Sequence, residues 1–465
     1  MNNFEFQTLK KIPGIGAEMY DMMVKLYPIC RSITGDGVRK TLDIISEQIP
    51  LEKYEIPTDT EVFDWTIPKE WNIKNAYVKK SNGEKIIDFQ KSNLHVLNYS
   101  VPIHKTVSLS ELTEHLFTLP DQPALIPYRT SYYHENWGFC ITHNQFLQLE
   151  EDDYEVVIDS TLEDGSLSYG EYFINGESDD EVLLSCYTCH PSMCNDNLSG
   201  VVLLTFLAKH LKNISLKYSY RFLFIPETIG AIAWICRNEH NIKKIKHGLV
   251  ATCVGDPGIL SYKKSRKDNA EIDQTVIDVL KNSGNDYKVV DYEPIGSDER
   301  QFCSPGFNLP VGSLQRTMAP AFPEYHTSAD NIDFVQPKYL ADTFLKYLQV
   351  FSKLEENFGK FNLKNNKDLK NKKETKKGQF FLNLKPKCEP RLSSMGLYRK
   401  VGGGTDITKN ERIRTIIIFW ILNYSDGKHS LQDISKKSGI HFDQIKSVAE
   451  ILVEHNLLKE VRTND

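Results

Sequence analysis

Four short segments hold the residue types that can do chemistry. They are Cys189-His190 with Asn195-Asp196-Asn197-Leu198-Ser199-Gly200, Pro226-Glu227-Thr228-Ile229-Gly230, Gly296-Ser297-Asp298-Glu299-Arg300, and Tyr325-His326-Thr327-Ser328-Ala329-Asp330. Two histidines and several carboxylates form the donor set of a catalytic zinc site, in which three nitrogen or oxygen ligands leave a fourth position for water. The pKa of such a water falls to about 7, and a nearby carboxylate must then accept its proton. His190 follows an apolar strand pattern, Asp196 stands at the mouth of a helix, and His326 lies in a loop after Pro323. These three could converge on one metal, and the chemistry they imply is metal-dependent hydrolysis.

The elements that must position them alternate. From about residue 180, the strand patterns EVLLSC, YSYRFLFI and GLVATCV are separated by the helical patterns SGVVLLTFLAKHLK and 229–238, and are followed by AEIDQTVIDVLK. That alternation predicts an α/β domain with a mostly parallel central sheet flanked by helices. Ligands of such sheets bind beyond the C-terminal ends of the strands, where all four segments fall. Residues 16–49 read as two helices of the same domain, broken at Thr34-Gly35-Asp36-Gly37. Residues 52–170 change to short β-branched and aromatic runs between turn residues, a β-rich insertion. The expected organisation is therefore 1–51 with 171–361 as the α/β domain, 52–170 inserted, 362–379 as a lysine-rich solvated linker or exposed helix, and 380–465 as a winged helix-turn-helix domain. The last assignment rests on three helical patterns with Gly439 at a turn. Its would-be recognition helix from His441 offers little beyond Lys446 for DNA, and few residues remain for a wing. Packing, contact with a protein partner or self-association is the expected role, and DNA binding is not.

The 465 residues leave ample chain for a core, and a formal net charge of −6 argues against a surface devoted to nucleic acid or anionic membrane. The N-terminal stretch lacks an apolar signal core and no run approaches a membrane span, so a soluble cytoplasmic protein is expected. Nine cysteines scattered through a chain of this length fit reduced thiols better than a disulfide framework.

The four segments resemble the zinc aminopeptidase clan that includes bacterial secreted aminopeptidases and glutaminyl cyclases. That clan has a His after a strand, an Asp-Asn-x-Ser-Gly helix start, a Glu-Glu pair, an Asp-Met-x-Gly segment, a Ser-Asp-His and a His-Thr. The corresponding residues are His190, Asp196 to Gly200, Glu227-Thr228, Thr252-Cys253-Val254-Gly255, Ser297-Asp298-Glu299 and His326-Thr327. The inserted module and C-terminal winged helix further resemble a bacterial group of aminopeptidase-like proteins sometimes encoded with polysaccharide-biosynthesis genes.

In the two-metal version of the clan, the helix-start Asp bridges two zincs, each with one further carboxylate. Thr228 and Thr252 stand where those two carboxylates would be. The resemblance then implies one zinc per chain, held by His190, Asp196 and His326, with Glu227 as general base acting on a zinc-activated water. In another register Glu227 is itself a ligand, or Asp256 serves a second metal. Asp298 matches the Ser-Asp-His aspartate or caps a loop. Arg300 binds a substrate carboxylate or oxyanion, or forms a structural ion pair. Asp330 orients the histidine loop or caps the next segment. Ser192 replaces an Asp that would orient the first histidine.

Residues 186–190, Cys-Tyr-Thr-Cys-His, also spell a c-type haem attachment pattern, and with Cys194 they supply one arm of a structural zinc site. Buried thiols flanking His190 are the simpler account. The aromatic run Ser131 to Trp137 could close over the pocket or pack within its module. Two function classes follow. One is a zinc hydrolase cutting an amide next to a free amine in a peptide or an amino-acid-containing small substrate. The other is a catalytically weak or inactive aminopeptidase-like scaffold that binds a ligand and whose C-terminal domain recruits a partner.

Overall fold

The computed structural model describes residues 12–360, 378–399, 401–403 and 409–461. Most of the lysine-rich stretch expected as a linker lies outside the described residues. Eight strands form the central sheet: β1 (Glu52–Pro57), β2 (Ser166–Ile174), β3 (Glu181–Tyr187), β4 (Ser219–Ile225), β5 (Ile245–Val250), β6 (Leu260–Lys263), β7 (Tyr287–Val290) and β8 (Val311–Gln315), in the order β1-β2-β4-β3-β5-β8-β6-β7. The centre, β4-β3-β5-β8, is parallel; β1, β2 and the β8–β6 pairing are antiparallel. The fold is a mixed α/β sheet with a parallel middle. β1 belongs to this sheet, so the inserted module leaves it after Pro57 and returns at Ser166, a narrower span than composition suggests. The texture misleads here because an edge strand and a strand of the insertion carry the same β-rich signal.

β3 shows why the middle must be buried. All seven of its residues are buried, with Val182, Leu184 and Cys186 in one core cluster and Leu183 and Tyr187 in the other. A strand apolar on both faces needs a layer on each. One face is covered by helices α1 (Ile15–Leu26), α2 (Asp36–Ser46), α3 (Ser199–Leu211), α5 (Glu271–Lys281) and α6 (Pro337–Asn357). The other carries α4 (Ile229–Asn238) and, in the same cluster, Phe381, Ile418, Ile421 and Leu452 of the C-terminal domain. That domain therefore completes the second layer.

The C-terminal domain has helices α7 (Lys409–Tyr424), α8 (Leu431–Ser438) and α9 (Phe442–Glu454) with strands at 380–383, 426–430 and 458–461. The wing that seemed short of residues is completed by the strand before the helices, which pairs with both others. Arg266 of the α/β domain anchors the domain through Asn423 Oδ1 at 2.8 Å and Asp426 at 3.2 Å. The inserted module has a four-stranded antiparallel sheet and its own core around Val78, Phe139 and Val156. Among the described residues, no helix is long and apolar enough to cross a membrane.

Candidate metal centre

The parallel register brings the site together at one end of the sheet. His190 lies just past β3 and Glu227 two residues past β4, whose Ile225 pairs with Tyr187. Asp196 sits in the loop that opens α3, and that loop is held from outside. The Asp330 carboxylate accepts the backbone N–H groups of Asn195 at 2.6 Å and Asp196 at 2.9 Å. Asp330 thus caps the loop that presents Asp196. Burial pushes its pKa up to about 8, against the pull of the two N–H donors.

His190, Asp196 and His326 offer ligand atoms that all lie within 4.8 Å of one another. His326 Nε2 is 2.9 Å from Asp196 Oδ2, yet neither atom makes a well-aligned hydrogen bond to a described residue. Two buried polar atoms that face each other without a well-aligned hydrogen bond are an arrangement a cation between them would satisfy, so the residues fit a zinc ion. Burial lowers the His190 pKa to about 4, keeping the imidazole neutral, which is its ligating form. Burial alone would raise the Asp196 pKa, but His190, His326 and the Tyr187 hydroxyl hold it down at about 2. The His326 ring is fixed by a 2.7 Å hydrogen bond from Nδ1 to the Gly403 carbonyl, which leaves Nε2 for a metal. Tyr325 stacks on that ring at 3.8 Å.

Glu227 borders the centre, its carboxylate 3.8 Å from His190 Nε2. Burial, then the charges of Asp298 and Asp196, raise its pKa well above the usual carboxylate range. The next residue, Thr228, has a φ of +64°, rare for a β-branched side chain. Its N–H donates to Asp298 Oδ1 at 2.7 Å and its hydroxyl accepts from Arg300 Nη2 at 3.3 Å. Asp298 therefore holds the Glu227-Thr228 turn, and burial raises its own pKa to about 7. Arg300 is engaged by Glu389 of the C-terminal segment at 2.5 Å. The structural ion pair is the arrangement observed. Asp256 is likewise occupied, accepting from Asn195, Gly258 and Thr317, and belongs to neither donor group at this end of the sheet. Ser192 donates to the Tyr27 carbonyl.

Cys186 on β3 and Cys189 two residues past its end are both buried and fall in different core clusters. Cys189 accepts the Glu227 N–H at 3.3 Å and could join His190 and Glu227 as a donor.

A cavity of about 310 Å³ opens on His190, Glu227 and His326, walled by Trp65, Tyr128, Tyr132 and Tyr133. From the aromatic run of the insertion, Tyr132 and Tyr133 reach this wall, while Trp137 packs inside its own module. The opposite wall is Leu392, Tyr398, Gly402 and Gly403, again C-terminal. Trp65 ties the two sides by donating to the Glu389 carbonyl at 2.8 Å. Sequence reasoning missed Trp65, Glu389 and Gly403, since nothing local links them to motifs far away along the chain.

Fold and site together define the aminopeptidase-like α/β class, here with a C-terminal winged helix. The chain belongs to the family described as domain of unknown function DUF4910, whose model matches residues 20–357, and a winged helix-turn-helix model matches 379–460. A Clostridium acetobutylicum protein provisionally named a polysaccharide biosynthesis protein with an aminopeptidase-like domain is 56% identical over 446 residues, covering 96% of this chain and 97% of the relative. A crystal structure from the same organism, provisionally called a peptidase, is 52% identical with a TM-score of 0.74 and covers 99% of both chains. BSAP, a zinc aminopeptidase from Bacillus subtilis, shares the fold at 12% identity and a TM-score of 0.55, over 74% of this chain and 96% of its own.

Proposed function

We propose that this chain is a zinc-dependent hydrolase that cleaves an amide next to a free amine, with one zinc held by His190, Asp196 and His326 and with Glu227 as general base. The observation that carries this reading is the convergence of those three ligands within 4.8 Å, with the Glu227 carboxylate 3.8 Å from His190 Nε2. Zinc bound there would supply Lewis acidity and a water acidic enough to lose its proton near neutral pH. A cation there would offset the burial and neighbouring charges that raise the Glu227 pKa, so that Glu227, ionised, would accept that proton and return it to the leaving amine. Asp298 and Asp330 hold the two loops in place. The aromatic wall admits a small substrate and excludes bulk water from the apolar side.

The relatives' names join a peptidase-like fold to polysaccharide biosynthesis, and a sugar bearing an amino acid would satisfy both. The reading places the enzyme in the cytoplasm, in keeping with nine cysteines that form no disulfide. The test is Glu227→Gln on zinc-loaded protein, assayed against a panel of aminoacyl amides. Turnover should fall by about 10²–10⁴ with zinc content unchanged. Zinc-bound wild type that turns over nothing in the panel favours the scaffold reading instead, which the absence of carboxylates at Thr228 and Thr252 supports. Two zincs per chain, both required for activity, would refute the one-metal site.

A further inference from the structure

Asp196 has two carboxylate oxygens, and they face different chemistry. Oδ2 looks toward His326. Oδ1 accepts a hydrogen bond from the Tyr187 hydroxyl, whose oxygen lies 2.6 Å from Thr252 Oγ1. The strand register builds this contact. Ser185 of β3 pairs with Val250 of β5, so two residues further on Tyr187 and Thr252 stand side by side on the same face of neighbouring parallel strands. Both are buried.

We propose that the Tyr187–Thr252 pair is a positioning device that takes the place of a second cation at Asp196. This rests on the one-zinc reading above. A buried carboxylate needs both oxygens satisfied, and without a second metal Oδ1 would be stranded. The Thr252 hydroxyl donates to the Tyr187 oxygen and the Tyr187 hydroxyl donates to Oδ1, a directional chain that neutral side chains can make without adding charge. Asp196 is thereby limited to one ligating oxygen, Oδ2, aimed at the two histidines. A second divalent ion on the Oδ1 side would have to displace the phenol. It would find two hydroxyls and the buried Cys253 thiol there in place of carboxylate or imidazole. Among the described residues, the donor groups able to hold a metal at this end of the sheet are those on the His190 side. The Tyr187 ring also leans on His190, with centroids 5.0 Å apart, so one side chain steadies two ligands.

Tyr187→Phe keeps the ring against His190 and removes only the hydroxyl, while Thr252→Val removes the far end of the chain at nearly constant shape. The full-length proteins are compared for zinc content by elemental analysis, for zinc affinity by chelator competition, and for the visible spectrum of the cobalt(II)-loaded form. The expected result is one zinc in wild type and a zinc Kd about 10–100-fold weaker in Tyr187→Phe. The cobalt band should lose intensity as Asp196 is freed to bind through both oxygens and coordination number rises. Thr252→Val should shift affinity the same way by less, and it carries the test alone should Tyr187→Phe fail to fold. An unchanged melting temperature with altered cobalt spectrum separates positioning from mere packing. Zinc affinity and cobalt spectrum indistinguishable from wild type in both variants would overturn the inference while leaving the one-zinc reading standing. Wild type that binds no zinc would defeat that reading itself, and this inference with it.

Discussion

His247 and Glu271 form a buried pair at the opposite end of the sheet from the metal centre, and removing either should expose a hidden pH dependence. Their nearest atoms are 3.7 Å apart, and neither ring nitrogen of His247 has a hydrogen-bond partner. Burial, then the nearby Lys246 and Lys267, lowers the His247 pKa from 6.5 to about 3, while burial raises that of Glu271 from 4.5 to about 7. Tyr218 packs edge-on against the histidine. A histidine with a depressed folded pKa loses stability as pH falls below 6.5, because the unfolded chain takes the proton first. A carboxyl with a raised folded pKa loses stability as pH rises from 4.5 towards 7, because the unfolded chain releases its proton first.

Between pH 4.5 and 6.5 the folded pair and the unfolded pair therefore each hold one proton, and the two slopes cancel. With those pKa values, moving from pH 7 to 5 costs about 2 kcal/mol through His247 and returns about 2 kcal/mol through Glu271. The same count holds whether the shared proton sits on the imidazole or the carboxyl. Urea unfolding at both pH values should show Glu271→Gln losing about 2 kcal/mol relative to wild type on acidification, and His247→Gln gaining a similar amount. If both variants track wild type within about 0.5 kcal/mol, the pair does not titrate as its burial requires.

Two further outcomes follow from packing around the site. Arg300→Met leaves Glu389 as a part-buried charge without its 2.5 Å partner, and denaturant unfolding should show a loss of about 1–3 kcal/mol, much of it recovered in the Arg300→Met, Glu389→Leu double variant. Gly35→Ala should destabilise by at least about 2 kcal/mol in thermal or urea unfolding. Gly35 has a φ of +94°, and an added Cβ would fall 2.1 Å from the Trp71 carbonyl oxygen.

Much of the site is written in local pattern. His190 and Asp196 sit at strand and helix ends that apolar periodicity locates, and a loop at the C-terminal end of a parallel strand has few places to point; His326 stands out by its His-Thr motif within a long loop. The sequence offers Asp330 for orienting the histidine loop or capping the next segment, whereas its carboxylate holds the Asn195 and Asp196 N–H groups, a contact between distant segments that local pattern does not carry. Arg300 was open between substrate and ion pair because its partner, Glu389, lies in another domain. β1 was assigned to the insertion because an edge strand carries no mark of which sheet it joins.

The sequence by itself determined the α/β alternation, and it singled out His190, Asp196, His326 and Glu227 as the candidate donors and base, with threonine at 228 and 252. Those are properties of residue type and short-range spacing. Only the tertiary structure decided that the C-terminal domain layers the second face of the sheet, that Gly403 sets the His326 ring, and that Tyr187 meets Asp196 across the strand register. Each of these is a contact between segments joined by packing, where free energy depends on which surfaces meet and leaves no periodic trace in the chain.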